Sequence, residues 1–163
     1  MTRQVLSTQL LEQRPSLDAW VRLLRAHSAL TRSLSADLVR GHGLTINDYE
    51  VLLHLARAPD RRLRRVDLAE RLLLTASGIT RLLDGLERSG FVAKGQCESD
   101  ARVTYAVLTD EGLAKLADAS ETHVGGIRDV FENRFSEDEL ETLSRLLAKL
   151  PEAEVAGEDC KPD

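Results

Sequence analysis

Residues 64–108, RRVDLAERLLLTASGITRLLDGLERSGFVAKGQCESDARVTYAVL, contain the pattern from which the fold can be predicted. The first half holds two short stretches in which apolar residues recur with helical spacing. The second half holds two strand-like runs that are separated by a polar loop long enough for a hairpin tip. Two helices in tandem followed by a hairpin make a winged helix-turn-helix, which we place at about residues 45–108.

The second helix of this stretch has the features of a DNA recognition helix. Thr75 is a suitable N-cap and Gly90 a suitable C-terminal stop. The predicted buried stripe consists of Ile79, Leu82, Leu83 and Leu86. The opposite face begins with small or hydroxyl side chains and one arginine, namely Ala76, Ser77, Thr80 and Arg81. The start of a recognition helix usually meets base edges in the major groove, so these four are candidate DNA-binding residues.

The hairpin that follows is the predicted wing. Its strands lie at residues 91–93 and 103–108, and in the second strand Val103, Tyr105 and Val107 share one face. The loop between them, KGQCESDAR, can reach a neighbouring groove while the helix occupies the major one.

Helices are also predicted on the N-terminal side of this unit. A long helix runs over residues 16–40, with Ser16 as its N-cap and Gly41 and Gly43 as its stop. Thr45 and Asp48 have the spacing of a capping box. The helix that they open would bury Tyr49, Leu52, Leu53 and Ala56, and a basic loop follows it with Arg61, Arg62, Arg64 and Arg65. The first helix of the helix-turn-helix, residues 66–72, would bury Val66, Leu68 and Leu72.

Residues 109–150 are predicted to form two further helices. Thr109 can cap the first, in which Gly125 and Gly126 should cause a bend. Ser136 and Glu139 form a second capping box, and Pro151 ends the last helix. Residues 1–15 are expected to be a flexible segment, residues 16–151 a single domain, and residues 152–163 an acidic disordered tail.

Composition agrees with a mainly α protein that contacts DNA through one face. Aromatic residues make up only 4% of the 163 residues, and no apolar run approaches the length of a membrane span. Residues 61–102 carry nine Lys or Arg against six Asp or Glu, a local net charge of +3 in a chain of net charge -5. Such a local basic region suits a nucleic-acid reader. Two cysteines suggest no disulfide framework, so we expect a cytoplasmic location.

The order of these features resembles MarR-family winged-helix transcriptional regulators. The resemblance covers about residues 17–150 and is strongest in the run TASGITRLLDGLERSGFV, the D-A-R wing tip and the helix start LTDEG. It implies a homodimer whose N- and C-terminal helices, residues 16–40 and 109–150, interleave, and which binds a pseudo-palindromic operator. Carried over by position, Asp100 would orient Arg102, which would enter the minor groove. Further DNA contacts are expected from Ser77, Thr80, Arg81 and Lys94, with phosphate contacts from Arg65 and Thr75.

The resemblance also suggests a small phenolic or carboxylate effector. Five aromatic or imidazole side chains fall near the region where the family binds such ligands, namely Trp20, His27, His42, Tyr49 and His54. Core packing explains Trp20 and Tyr49 equally well. Cys97 in the wing could sense redox state or be an incidental thiol. The histidines lack the spacing of metal ligands, so no metal and no other cofactor is expected.

The predicted function is therefore a sequence-specific DNA-binding regulator, most simply a ligand-responsive repressor. The alternative is a winged-helix module that binds proteins rather than specific DNA, which the acidic overall charge favours. An enzyme is not expected, because the chain offers no glycine-rich phosphate loop, nucleophile elbow, metal motif or paired catalytic carboxylates.

Overall fold

A computed structural model of the chain describes residues 15–96 and 103–151. Residues 1–14 of the predicted flexible N-terminal segment, the acidic tail, and the wing-tip residues Cys97, Asp100 and Arg102 lie outside these ranges, whereas Pro15, also predicted to be flexible, is the first residue of a helix. The described chain divides into two compact units, with the boundary between His123 and Val124.

Helices account for most of the described chain, as the sequence predicts. The helices are α1 Pro15–His42, α2 Ile46–Arg57, α3 Arg65–Arg71, α4 Ala76–Arg88, α5 Asp110–Glu132 and α6 Glu137–Leu147. The strands are β1 Arg62–Arg64, β2 Val92–Gln96 and β3 Thr104–Leu108. No helix within the described ranges is both long and apolar enough to cross a membrane.

The three strands form one antiparallel sheet in the order β1-β3-β2. Val92 lies opposite Leu108 and Gln96 opposite Thr104, so β2 and β3 form the predicted hairpin. The first strand was predicted as part of a basic loop, and that prediction is wrong. A three-residue strand is too short to show alternation, and β1 forms because its backbone pairs with β3, with Leu63 opposite Ala106.

The core of the first unit is mostly aliphatic, and every helix of that unit contributes to it. Its fully buried large side chains are Leu38, Val51, Leu52, Leu55, Leu68 and Leu83. The recognition-helix stripe is confirmed, since Ile79, Leu83 and Leu86 are buried and Leu82 is partly buried. In β3 the core-facing side chains are Ala106 and Leu108, whereas Tyr105 and Val107 are only partly covered.

Capping predictions are confirmed at the starts of four helices. Thr45 with Asp48, and Ser136 with Glu139, each form a reciprocal capping box. The Thr75 hydroxyl accepts a hydrogen bond from the Gly78 amide, and Thr109 accepts one from Gly112.

Three local predictions are wrong. Ser16 is not an N-cap and Gly41 is not a stop, because α1 includes both residues and the chain instead leaves the helix at Gly43, whose φ is 69°. Val66 is 66% exposed rather than buried. At about 100° per residue, Val66 and Leu68 lie on opposite faces of α3, so both cannot face the core.

The second unit holds the end of α5 and the whole of α6. Helix α5 is one α-helix from Asp110 through Gly125 and Gly126 to Glu132, and the bend predicted at the two glycines stays a prediction. Within this unit Leu146, Leu147 and Leu150 all remain exposed, although they are large and apolar.

Candidate nucleic-acid interface

The exposed face of α4 is the centre of the candidate interface. Thr75, Ala76, Ser77, Thr80 and Arg81 are all exposed, while the opposite face of the helix is anchored in the core. The anchored face fixes the direction in which the exposed side chains point. The structure therefore brings five of the predicted DNA-binding residues onto one surface.

Hydrogen bonds within α4 orient this surface. The Thr80 hydroxyl donates to the Ala76 carbonyl at 2.8 Å, and the Thr75 and Ser77 hydroxyl oxygens lie 3.2 Å apart. Arg81 Nε donates to the Ser77 carbonyl at 3.4 Å, a long bond that leaves the rest of the guanidinium to other partners. Among the described residues Arg81 has no acidic partner. It can present several N–H donors to a base edge or a phosphate.

The basic stretch at residues 61–65 is engaged within the protein. Arg61 Nη1 donates to Asp110 Oδ1 at 2.8 Å, and Arg64 makes two hydrogen bonds to Asp67 at 2.8 and 2.7 Å. The Arg62 guanidinium lies 4.0 Å from the centre of the Tyr105 ring. Sequence reasoning counted these cations toward the DNA-binding charge but did not identify their partners, two of which lie more than forty residues away along the chain.

Arg65 and Lys94 are paired with acidic side chains of α4. Arg65 Nη2 lies 3.6 Å from Asp84 Oδ1 and 3.9 Å from Glu87 Oε1. Lys94 Nζ lies 3.0 Å from Glu87 Oε2. These contacts do not test the predicted phosphate contacts, which stay predictions, but they show that both cations have acidic partners inside the protein.

A shallow groove runs beside the exposed face of α4. It is lined by Arg81, Asp84, Glu87, Arg88 and Lys94. Four of these residues belong to α4 and the fifth to β2, so the recognition helix and the base of the wing form one continuous charged surface.

Of the five proposed effector residues, His42 and Tyr49 contact the same helix, α5, and the other three lie elsewhere. His42 Nδ1 lies 2.9 Å from Asp118 Oδ2, and His42 Nε2 lies 2.7 Å from Thr122 Oγ1. Tyr49 is buried, and its hydroxyl lies 3.1 Å from Ser120 Oγ. His42 and Tyr49 therefore contact the same stretch of α5, residues 118–123.

The remaining effector candidates lie in other surroundings. Trp20 is 56% exposed on α1, and His27 is also exposed. His54 is half-buried, and its pKa is lowered by burial and by the positive charges of Arg71 and Arg57. Their effector role stays an untested prediction. No group of three possible metal ligands occurs among the described residues.

His123 is a neighbour of this stretch that the effector prediction omitted. Its ring centre lies 4.6 Å from that of Tyr49, and burial lowers its pKa. Its buried Nδ1 has no hydrogen-bond partner among the described residues. Its position seven residues, or two helical turns, after Leu116 is the sequence signal that could have identified it.

Comparison with known proteins agrees with the winged helix-turn-helix that these residues form. A profile of the MarR family matches residues 42–103. The HTH-type transcriptional repressor YetL of Bacillus subtilis is 38% identical over 110 residues, which are 68% of this chain and 65% of YetL.

Two solved structures from Streptomyces coelicolor extend the comparison. The MarR-family regulator Sco3205, solved in complex with DNA, superposes with a TM-score of 0.74 at 31% identity, covering 80% of this chain and 81% of that one. The MarR-family regulator AbsC also gives a TM-score of 0.74, at 32% identity, covering 82% of this chain and 90% of that one. The chain belongs to the MarR family of winged-helix transcriptional regulators, a family of regulators rather than enzymes.

Proposed function

We propose that this chain is a repressor that binds a pseudo-palindromic operator as a homodimer and releases it in response to a small ligand. The observation that carries the proposal is the exposed polar face of α4, where Ser77, Thr80 and Arg81 follow a capped helix start. Hydroxyl and guanidinium groups are the side chains that read base edges in the major groove. YetL, which is named as a repressor, supports the same direction of regulation.

Exposed apolar side chains support the homodimer. Trp20 and Leu24 are exposed on α1 in the first unit, and in the second unit Leu146, Leu147 and Leu150 are exposed on and just after α6. Large apolar side chains left exposed in groups mark protein interfaces. Two copies of the winged unit would then read two half-sites, and their separation would follow from the dimer geometry.

An effector is proposed near the contacts that join α1 and α2 to α5. His42 and Tyr49 make polar contacts there with Asp118, Ser120 and Thr122. A phenolic or carboxylate ligand could compete for these hydrogen bonds and so change how the winged unit is held. Because a regulator of this kind acts on the chromosome, we also propose a cytoplasmic location.

The test is a fluorescence anisotropy titration with duplexes selected by the protein from genomic fragments. The wild-type chain is expected to bind its selected duplex tightly and with a clear salt dependence. Arg81→Ala should weaken specific binding by about tenfold to a hundredfold, which is the cost of losing one good base contact.

Arg57→Ala is the matched control, because it removes the same charge from an exposed helical position of the same unit. It should leave the affinity near that of the wild type. Equal affinities of Arg81→Ala and the wild type would exclude the proposed reading surface. Failure of the wild type to select any duplex, with retention of a protein partner instead, would favour the protein-binding alternative.

A further inference from the structure

Glu87 lies where three elements of the winged unit meet. It belongs to the recognition helix α4, and its carboxylate lies 3.0 Å from Lys94 Nζ in strand β2 and 3.9 Å from Arg65 Nη2 at the start of α3. One carboxylate therefore connects the wing strand and the first helix of the helix-turn-helix to the helix between them.

This charge cluster is partly buried, which distinguishes it from ordinary surface pairs. The side chain of Glu87 is only 17% exposed and that of Arg65 only 23% exposed. Arg65 Nη2 is buried and has no hydrogen-bond partner among the described residues. Its charge is offset by the carboxylates of Glu87 and Asp84 alone in the described part of the chain. Without Glu87, the partly buried Arg65 would keep only Asp84 as an acidic neighbour among the described residues, and a poorly compensated charge in such a position costs more than an exposed pair contributes.

Arg65 and Lys94 are also two of the predicted DNA contacts. We propose that Glu87 is a positioning residue for DNA binding, which fixes both cations relative to the exposed face of α4. Holding binding groups in place before the partner arrives reduces the ordering cost of association. This inference rests on the proposed function, because it assigns Glu87 a role in the same interface.

The experiment compares Glu87→Gln with the wild type on a selected duplex. Glu87→Gln is nearly isosteric and removes only the charge that Arg65 and Lys94 share. We expect about tenfold weaker binding, which corresponds to loss of coupling within one charge network. Glu70→Gln is the control, since Glu70 is exposed on α3 without an ion pair among the described residues and the variant changes the net charge equally. It should bind as the wild type does.

Lys94→Met, alone and combined with Glu87→Gln in a double-mutant cycle, provides a second measurement, and thermal unfolding of each variant checks that it is folded. If Glu87 acts through Lys94, the double variant should lose less affinity than the two single losses combined. A merely structural role for Glu87 would lower the unfolding temperature without such coupling in DNA affinity.

The salt dependence of binding separates positioning from competition. If Glu87 only competed with phosphates for the two cations, Glu87→Gln would bind more tightly, and the salt slope would steepen by about one for each released cation. That result, or an unchanged affinity, would overturn the inference and leave the proposed function intact. If the wild-type chain selects no duplex, the proposed function and this inference both fail.

Discussion

Any side chain at Gly112, near the start of α5, is expected to lower the stability of the protein. A methyl group added there would lie 2.1 Å from the Phe91 carbonyl oxygen and 2.8 Å from Leu108 Cδ1. The first contact is with backbone and cannot be relieved by a side-chain rotation. Two hydrogen bonds hold the start of α5 against residues 90–91: the Thr109 amide donates to Phe91 O, and the Thr109 hydroxyl donates to Gly90 O. A third caps α5 itself, since the Gly112 amide donates to Thr109 Oγ1.

The change in the free energy of unfolding caused by Gly112→Ala is the sum of opposing contributions. Overpacking costs about 1–3 kcal/mol, and each hydrogen bond weakened by the displacement costs about 1 kcal/mol. Alanine gains about 1 kcal/mol over glycine in a helix. Gly112→Ala should therefore lower the free energy of unfolding by about 2–4 kcal/mol, a large part of the about 5–15 kcal/mol that stabilises a typical domain.

Gly85→Ala in α4 is the matched control, because a methyl group there meets nothing within 4 Å. This variant should gain about 1 kcal/mol from helix propensity. Urea unfolding followed by circular dichroism, at one protein concentration for all variants, measures both changes. If Gly112→Ala were as stable as Gly85→Ala, the close approach of α5 to the α4–β2 turn would be refuted.

Two further perturbations test local strain and titration. Leu73 is 84% exposed and has a left-handed φ of 52°. Because that conformation strains a residue with a Cβ by about 1–2 kcal/mol, more than the entropy cost of glycine, Leu73→Gly should stabilise the protein by up to about 1 kcal/mol. Leu73→Ala keeps that strain, so an equal gain from it in urea unfolding would contradict this account. Burial lowers the pKa of His123 below the ordinary 6.5. The unfolded chain therefore binds a proton at His123 more readily than the folded protein does, and the free energy of unfolding should fall as the pH drops below 6.5. His123→Phe keeps an aromatic ring against Tyr49 but removes the titrating group. The unfolding temperature of this variant should fall less on acidification than that of the wild type. An equal fall in both would assign the pH dependence to other groups.

Local signals in the sequence were sufficient for the helices and for four of their starts. The capping boxes at Thr45 and Ser136 were predictable because both partners lie within one helical turn. The buried stripe of α4 was predictable for a similar reason, since its spacing repeats within a single helix. Strand β1 was not predictable, because the strand with which it pairs, β3, follows it by some forty residues.

The candidate site was predictable in its side chains and not in their partners. The exposed face of α4 follows from helical geometry once the buried stripe is known, so Ser77, Thr80 and Arg81 could be named in advance. The acidic partners of Arg61 and Arg65 could not, because Asp110 and Glu87 come from other elements of the folded unit. The five effector candidates were chosen for their chemistry and because the resemblance places the family's effector region near them. Among them the structure brings His42 and Tyr49 to one stretch of α5.

The pairing of these cations changes how the local net charge of +3 should be interpreted. A count of charges treats every arginine of residues 61–65 as available to phosphate, whereas Arg61, Arg64 and Arg65 each lie beside a carboxylate. Arg61 and Arg64, which are paired outside the Glu87 cluster, gain less from a phosphate, because binding exchanges one anionic partner for another. Specific affinity in this protein should therefore depend more on the geometry of the α4 face than on total positive charge. That geometry is set by the core beneath α4 and by the charge cluster around Glu87, which both act before DNA arrives.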